Sequence, residues 1–169
     1  MVSKETSRQQ DESKAQGLGY LLARARAVLV RAADLDLNEH DITHAQGSIV
    51  LMLANGTCST AAELSRELYL DSASMTRMID RLERRGLLER VARSGDRRVI
   101  DLHLTAEGRR LGELLPGVYS DVLKRSFADF SLDEITQLHS LLSKLVDSNK
   151  LRRRASEPQS SNHSLSAKA

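Results

Sequence analysis

Aromatic residues, cysteine and long apolar runs are what this chain has least of. One cysteine, Cys58, leaves no partner for an intramolecular disulfide and points to a reducing compartment. Three tyrosines, two phenylalanines and no tryptophan mean that a core must be built from Leu, Ile, Val, Met and Ala, which favours helices. No apolar stretch approaches the roughly 18 residues that a membrane span needs, and the opening "MVSKETSRQQDESK" has no signal-peptide character. The expected setting is the cytoplasm, with no membrane partner. Catalytic patterns are missing as well: there is no glycine-rich phosphate loop, no paired carboxylates at a strand end and no nucleophile motif, so no catalytic residue and no cofactor are expected. Global charge bias is also small. The formal net charge is +2 over 169 residues.

Charge is concentrated rather than abundant. Positions 77–98 hold eight arginines against four acids, a local excess of +4, so the rest of the chain sums to −2. A basic patch on a slightly acidic body suggests directed contact with a polyanion. The patch lacks the aromatic residues on which single-stranded bases stack, which favours duplex DNA over RNA.

Apolar spacing gives a helical order. Leu18, Leu21, Leu22, Ala25, Val28, Leu29, Ala32 and Ala33 predict an amphipathic helix over about 16–35. Thr43 and Gln46 form a capping box before "AQGSIVLMLA", a helix apolar on nearly every side. Thr60 and Glu63 box a short helix, and a further helix spans about 72–85 with Met75, Ile79 and Leu82 inward. "ERVARSGDRRVIDLHLT" (89–105) then reads as a hairpin that buries little, turning at Ser94, Gly95 and Asp96, with Arg90, Arg93, Arg97 and Arg98 on or near its tip. Leu111, Leu115, Val118 and Val122 mark a long helix, expected to bend near Pro116. Ser131 and Glu134 box the last one. Residues 1–15 and 151–169 are polar and are expected not to pack.

Two short helices joined by a tight turn, then a basic hairpin, are the parts of a winged helix-turn-helix. The outward face of the second helix carries Ser72, Ser74, Thr76, Arg77, Arg81 and Arg84. Small hydroxyls and open backbone N–H groups at its start suit phosphate, and arginine can fork onto guanine. The hairpin would reach the neighbouring minor groove, whose concentrated negative potential attracts arginine.

These residues also carry a resemblance. "TRMIDRLERRGLLER" and the wing pattern D-x-R-x-x-x-L-x-L-T, filled by Asp96, Arg98, Leu102, Leu104 and Thr105, are similar to the winged-helix core of the MarR family of bacterial transcriptional regulators, over about 18–148. The resemblance implies that Arg98 is the wing arginine, Asp96 the acid that orients it, and Arg93 and Arg97 its neighbours at the tip. Ser72, Ser74, Thr76, Arg77 and Arg81 would read or clamp the major groove. It also implies a mainly α fold with a dimerisation helix over 16–42, the winged helix-turn-helix over 43–105 and further dimerisation helices over 106–150. The apolar stripes agree, being more than a small winged domain can cover alone; a symmetric pair would bury the excess and suit a pseudo-palindromic operator.

Family members of this kind are mostly repressors released by a small molecule, oxidation or metal. A small aromatic or phenolic carboxylate is the effector expected here. Tyr20, Arg24 and Arg31 share a stripe of the first helix and His44 opens the second; together these could hold a carboxylate and a ring. The alternatives stay open: Cys58 as a redox sensor, a metal at Glu39, His40, Asp41 and His44, or an architectural DNA binder deaf to small molecules. The metal donors share a face only if 39–44 is helical, and the box at Thr43 argues that the helix starts later, so no metal ligand is assigned.

Overall fold

A computed structural model of the chain describes the backbone over residues 2–156 and the side chains over 17–149. The fold is mainly α. Helix α1 is Val2–Leu37, followed by a single 3-10 turn at Asn38–His40; α2 is His44–Ala54, α3 Ala61–Leu68 and α4 Ser72–Arg84. Strands β1 (Leu88–Arg93) and β2 (Asp96–Leu104) form one antiparallel hairpin, and α5 (Ala106–Ser126) and α6 (Leu132–Ser156) complete the order. The first helix thus begins earlier than its apolar stripe predicted. Residues 157–169 of the expected polar tail lie outside the described residues. Two units divide the chain, one ending at Ser126 and one starting at Phe127.

The local signals in the sequence set the helix starts. The Thr43 side chain accepts from the Gln46 N–H while the Gln46 amide oxygen accepts from the Thr43 N–H (3.0 Å), satisfying two donors that the helix cannot. Thr60 and Glu63 do the same for α3. Helix α4 has a cap that the pattern reading missed: Asp71 accepts from the Ser74 N–H at 2.8 Å, without the glutamate that completes a box. In the second unit the Ser131 hydroxyl accepts from the Glu134 N–H, and Glu134 returns the bond to Ser131.

The core of the first unit lies between α1, α2, α5 and the helix-turn-helix. Leu37, Ile49, Val50, Leu64, Met75, Ile79, Leu82, Leu88 and Leu115 are wholly buried there. Each such side chain contributes on the order of 1.5–3 kcal/mol of hydrophobic stabilisation. Two glycines permit close approaches, one to backbone and one to a side chain. A Cβ at Gly108 would stand 1.9 Å from the Leu87 carbonyl oxygen, and one at Gly47 would stand 2.6 Å from the Tyr119 hydroxyl.

The hairpin departs from expectation at its base. Leu88, Leu102 and Leu104 are buried, so its lower half belongs to the core and only its upper half projects. The Leu102 N–H also donates to the Ser59 carbonyl (2.7 Å), tying β2 to the segment that leads into α3.

Candidate nucleic-acid interface

Helices α3 and α4 meet at a turn made by Tyr69, a non-glycine residue at φ 54°, after which the Leu70 N–H closes back on the Ser65 carbonyl (3.0 Å). This left-handed residue takes the place of the usual glycine. The turn puts Met75, Ile79 and Leu82 against the core and leaves Ser72, Thr76, Arg77 and Arg81 exposed, with Ser74 half-buried. The exposed hydroxyl face is already organised. Thr76 donates to the Ser72 carbonyl (2.8 Å), and Arg77 donates to the Ser74 hydroxyl (2.9 Å).

The hairpin turns at Ser94 and Gly95, where Gly95 takes φ 92°, and the ladder slips register between Ala92 and Arg93. Asp96 accepts from the backbone N–H of Arg98 at 3.1 Å. It therefore fixes the main chain that carries Arg98, rather than gripping the guanidinium, which stays clear for another partner.

What each guanidinium touches separates the eight arginines. Arg90 is not a tip residue: it pairs with Asp80 (2.6 Å) and with Glu83, bracing β1 against α4. Arg93 donates twice to Asp101, at 2.6 and 3.0 Å, and that bond is the main reason the Asp101 carboxyl lies below the usual range. Arg85 donates to the carbonyls of His40 and Asp41. Arg84 donates to the Asp80 carbonyl (3.3 Å) on its own helix. Among the described residues, the guanidinium groups of Arg81, Arg97 and Arg98 have no partner. They are exposed on the recognition helix and at the wing tip.

The residues expected to hold a small acid do not gather in one place. Arg24 donates to the Tyr20 hydroxyl (3.4 Å) and lies over its ring, 5.9 Å from the centroid. Arg31 instead lines a groove of about 520 Å³ with Arg26, Val30, Asp34, Leu35 and Asn38. At 1.5 Å per residue, Tyr20 stands about 21 Å up the helix from Asp34. His44 belongs to the lower group, because its backbone N–H donates to Asp34. Its ring meets that of Tyr119 edge to face (5.6 Å), and its Nδ1 is buried with no hydrogen-bond partner. Burial holds the imidazole below its ordinary pKa, against the pull of Asp34 and with a small push from Arg26.

The other sensing groups fare differently. Cys58 is buried, and burial first, then Glu63 and Glu67, pushes its thiol upward, away from the thiolate that oxidation needs. His40 lies in the 3-10 turn and His44 in α2, so the helical spacing that a metal would require is not formed. Among the described residues, no group of three or more His, Cys, Asp or Glu is placed to hold an ion, and no helix is long and apolar enough to cross a membrane.

Comparison with known proteins matches this arrangement. A model of the MarR family fits residues 42–100. The chain is 34% identical over 109 residues to the HTH-type transcriptional regulator YsmB of Bacillus subtilis, covering 64% of this chain and 75% of that one. It is 30% identical over 130 residues to the multiple antibiotic resistance protein MarR of Escherichia coli, covering 74% and 90%. Among solved structures, a mutant of E. coli MarR complexed with operator DNA superposes with a TM-score of 0.71 at 28% identity, over 78% of this chain and 95% of that one. A MarR-family protein of Mycobacterium tuberculosis in complex with p-aminosalicylic acid superposes with a TM-score of 0.65 at 27% identity, over 76% and 97%.

Proposed function

This chain belongs to the MarR family of winged-helix transcriptional regulators, and from that premise we propose that it is a cytoplasmic homodimeric repressor, released from a pseudo-palindromic operator by a small aromatic carboxylate. It is a DNA-binding regulator and not an enzyme. The observation that carries the reading is the uncommitted state of Arg81, Arg97 and Arg98, while the arginines around them are spent on the protein itself. An exposed guanidinium with no partner gains most from a phosphate or a base edge. In this reading Ser72, Ser74, Thr76, Arg77 and Arg81 enter the major groove, Arg97 and Arg98 enter the minor groove, and Arg93 and Asp96 hold the wing in shape.

Dimerisation is supported by apolar surface. On α1, Leu18, Leu21, Val28 and Leu35 are 58–70% exposed, and on α6 Leu132, Leu141, Leu145 and Val146 are 48–82% exposed. Stripes of this kind call for a partner helix. The effector class is supported by the groove on α1, where Arg26 and Arg31 offer forked donors to a carboxylate and Val30 and Leu35 offer apolar surface to a ring. The p-aminosalicylic acid bound by the M. tuberculosis relative is of that class. Tyr20 and Arg24, paired with each other further along α1, do not line that groove.

The test is fluorescence anisotropy of a duplex from the region upstream of the chain's own coding sequence, with and without p-aminosalicylic acid and other aromatic carboxylates. Tight binding that one of them abolishes is expected. Tight binding that none disturbs would replace the ligand-released repressor with an architectural role.

A further inference from the structure

Arg85 carries positive charge in the basic segment but spends it far from the wing. Its side chain crosses to the joint between α1 and α2, where Nη1 donates to the carbonyl oxygen of Asp41 and Nη2 to that of His40 (3.1 Å). Those carbonyls end the 3-10 turn Asn38–His40. There Asp41 takes φ 53° and donates its N–H to the Asn38 carbonyl (3.0 Å). A helical turn leaves its last carbonyls without a donor, and a non-glycine residue at positive φ persists only where its surroundings hold it. Arg85 supplies both the donors and the restraint. A planar fork can serve two carbonyls at once, which a lysine ammonium does less well.

The other end of the same residue belongs to the recognition helix. Arg85 follows Arg84 as the C-terminal cap of α4, its own N–H bonded to the carbonyls of Arg81 and Glu83. Arg81 is one of the three uncommitted arginines. On the opposite side of the joint, Asn38 and Leu35 line the groove on α1, and the Asp34 carboxylate beside them accepts from the first N–H of α2. One side chain thus separates the wall of the groove from the last turn of the helix that carries Arg81.

We propose that Arg85 is a positioning residue, a clamp that makes the α1–α2 joint and the C-terminal end of the recognition helix move together. An occupant that shifts Asn38 then shifts the end of α4 and with it Arg81. The regulatory sense of the clamp rests on the ligand-released reading above; the clamp itself does not. The rival role for Arg85 is a plain phosphate contact, which would require the guanidinium to leave both carbonyls.

Amide hydrogen exchange on the full chain separates these roles, using wild type, Arg85→Ala and Arg85→Lys, each free and bound to the upstream duplex. The reporters are Asp41 and Ile42, whose N–H groups are bonded to the Asn38 and Leu37 carbonyls. In the free protein Arg85→Ala is expected to speed their exchange by at least about threefold, with Arg85→Lys between it and wild type. On the duplex, both amides are expected to slow in wild type. In Arg85→Ala α4 is expected to remain protected while that distant response is lost. The slope of log affinity against log salt stays unchanged for a clamp and falls by about 1 per bound protomer, so by about 2 for a dimer, for a phosphate contact. Unchanged exchange at 41–42 in the free Ala variant, a retained DNA response there, or a lower salt slope would each overturn the proposal. If wild-type α4 itself gains no protection from the duplex, the operator reading has failed and the free-protein comparison alone decides the clamp. If Arg85→Ala does not fold, the same comparison is made with Arg85→Lys, and exchange equal to wild type refutes it.

Discussion

Arginines 93 and 98 stand five positions apart on one hairpin with the same charge, and their surroundings give them different work. Arg93 is bonded twice to Asp101, a half-buried carboxylate whose charge it offsets. Arg98 has its backbone held by Asp96 and its guanidinium clear. Arg98→Ala is therefore expected to weaken operator binding by about 10- to 100-fold for each half-site that a protomer occupies, the range for losing one good arginine contact, with the oligomeric state unchanged. Arg93→Ala is expected to lower thermal stability only slightly, because solvent screens the pair, and to change DNA affinity far less. Anisotropy and size-exclusion chromatography on both variants make the comparison. Equal affinity losses would mean that the bond to Asp101 does not decide which arginine faces DNA. The sequence displays both arginines and the D-x-R spacing, but not this division. That depends on a cross-strand partner and on a register slip at Ala92 and Arg93 that alternation alone does not announce.

At the scale of elements, the readable features were those whose cause lies within four residues. The boxes at Thr43 and Thr60 formed as expected because donor and acceptor sit on one turn of chain. The braces that orient one element on another were not readable: Arg90 reaches back to Asp80 and Glu83 on α4, and Arg85 reaches 44 residues back to Asp41. The start of α5 is a similar case. Thr105 donates to the Gly86 carbonyl (2.6 Å) and accepts from the Gly108 N–H (3.1 Å), drawing the helix so close to Leu87 that residue 108 has no room for a Cβ. The glycine of "LTAEG" is thus a packing requirement. Gly108→Ala should destabilise the protein by about 1–3 kcal/mol, because the atom it would meet is backbone and cannot turn aside. Gly117 lies on the same helix with nothing within 4 Å of its would-be Cβ. Gly117→Ala should stabilise by about 0.5–1 kcal/mol, by removing unfolded-state freedom. Thermal melts that left Gly108→Ala as stable as wild type would contradict the close approach at Leu87, and a lower melting temperature for Gly117→Ala would contradict the open site at Gly117.

For the whole molecule, the small net charge of +2 conceals a surface prepared for a polyanion, and salt is the variable that exposes it. Of the eight arginines at 77–98, three have guanidiniums without a partner among the described residues, Arg81, Arg97 and Arg98, so a two-fold dimer would present six of them. Each cation placed against duplex DNA releases about 0.9 counterion, so log affinity should fall against log salt with a slope of about −5, or steeper where Arg77 and backbone N–H groups add contacts. Between about 50 and 200 mM salt that slope is roughly a thousandfold loss of affinity. A single protomer on the same duplex would give about half the slope and a far smaller loss. The salt dependence thus tests two expectations together: that the uncommitted arginines meet the duplex, and that two copies bind at once. A slope near −5 with two protomers per duplex satisfies both. A slope near −2.5 with one protomer per duplex would keep the arginines and discard the dimer. A nearly flat response would mean that the basic patch is only a solvated surface, and the groove-reading roles of Arg81, Arg97 and Arg98 would fall with it.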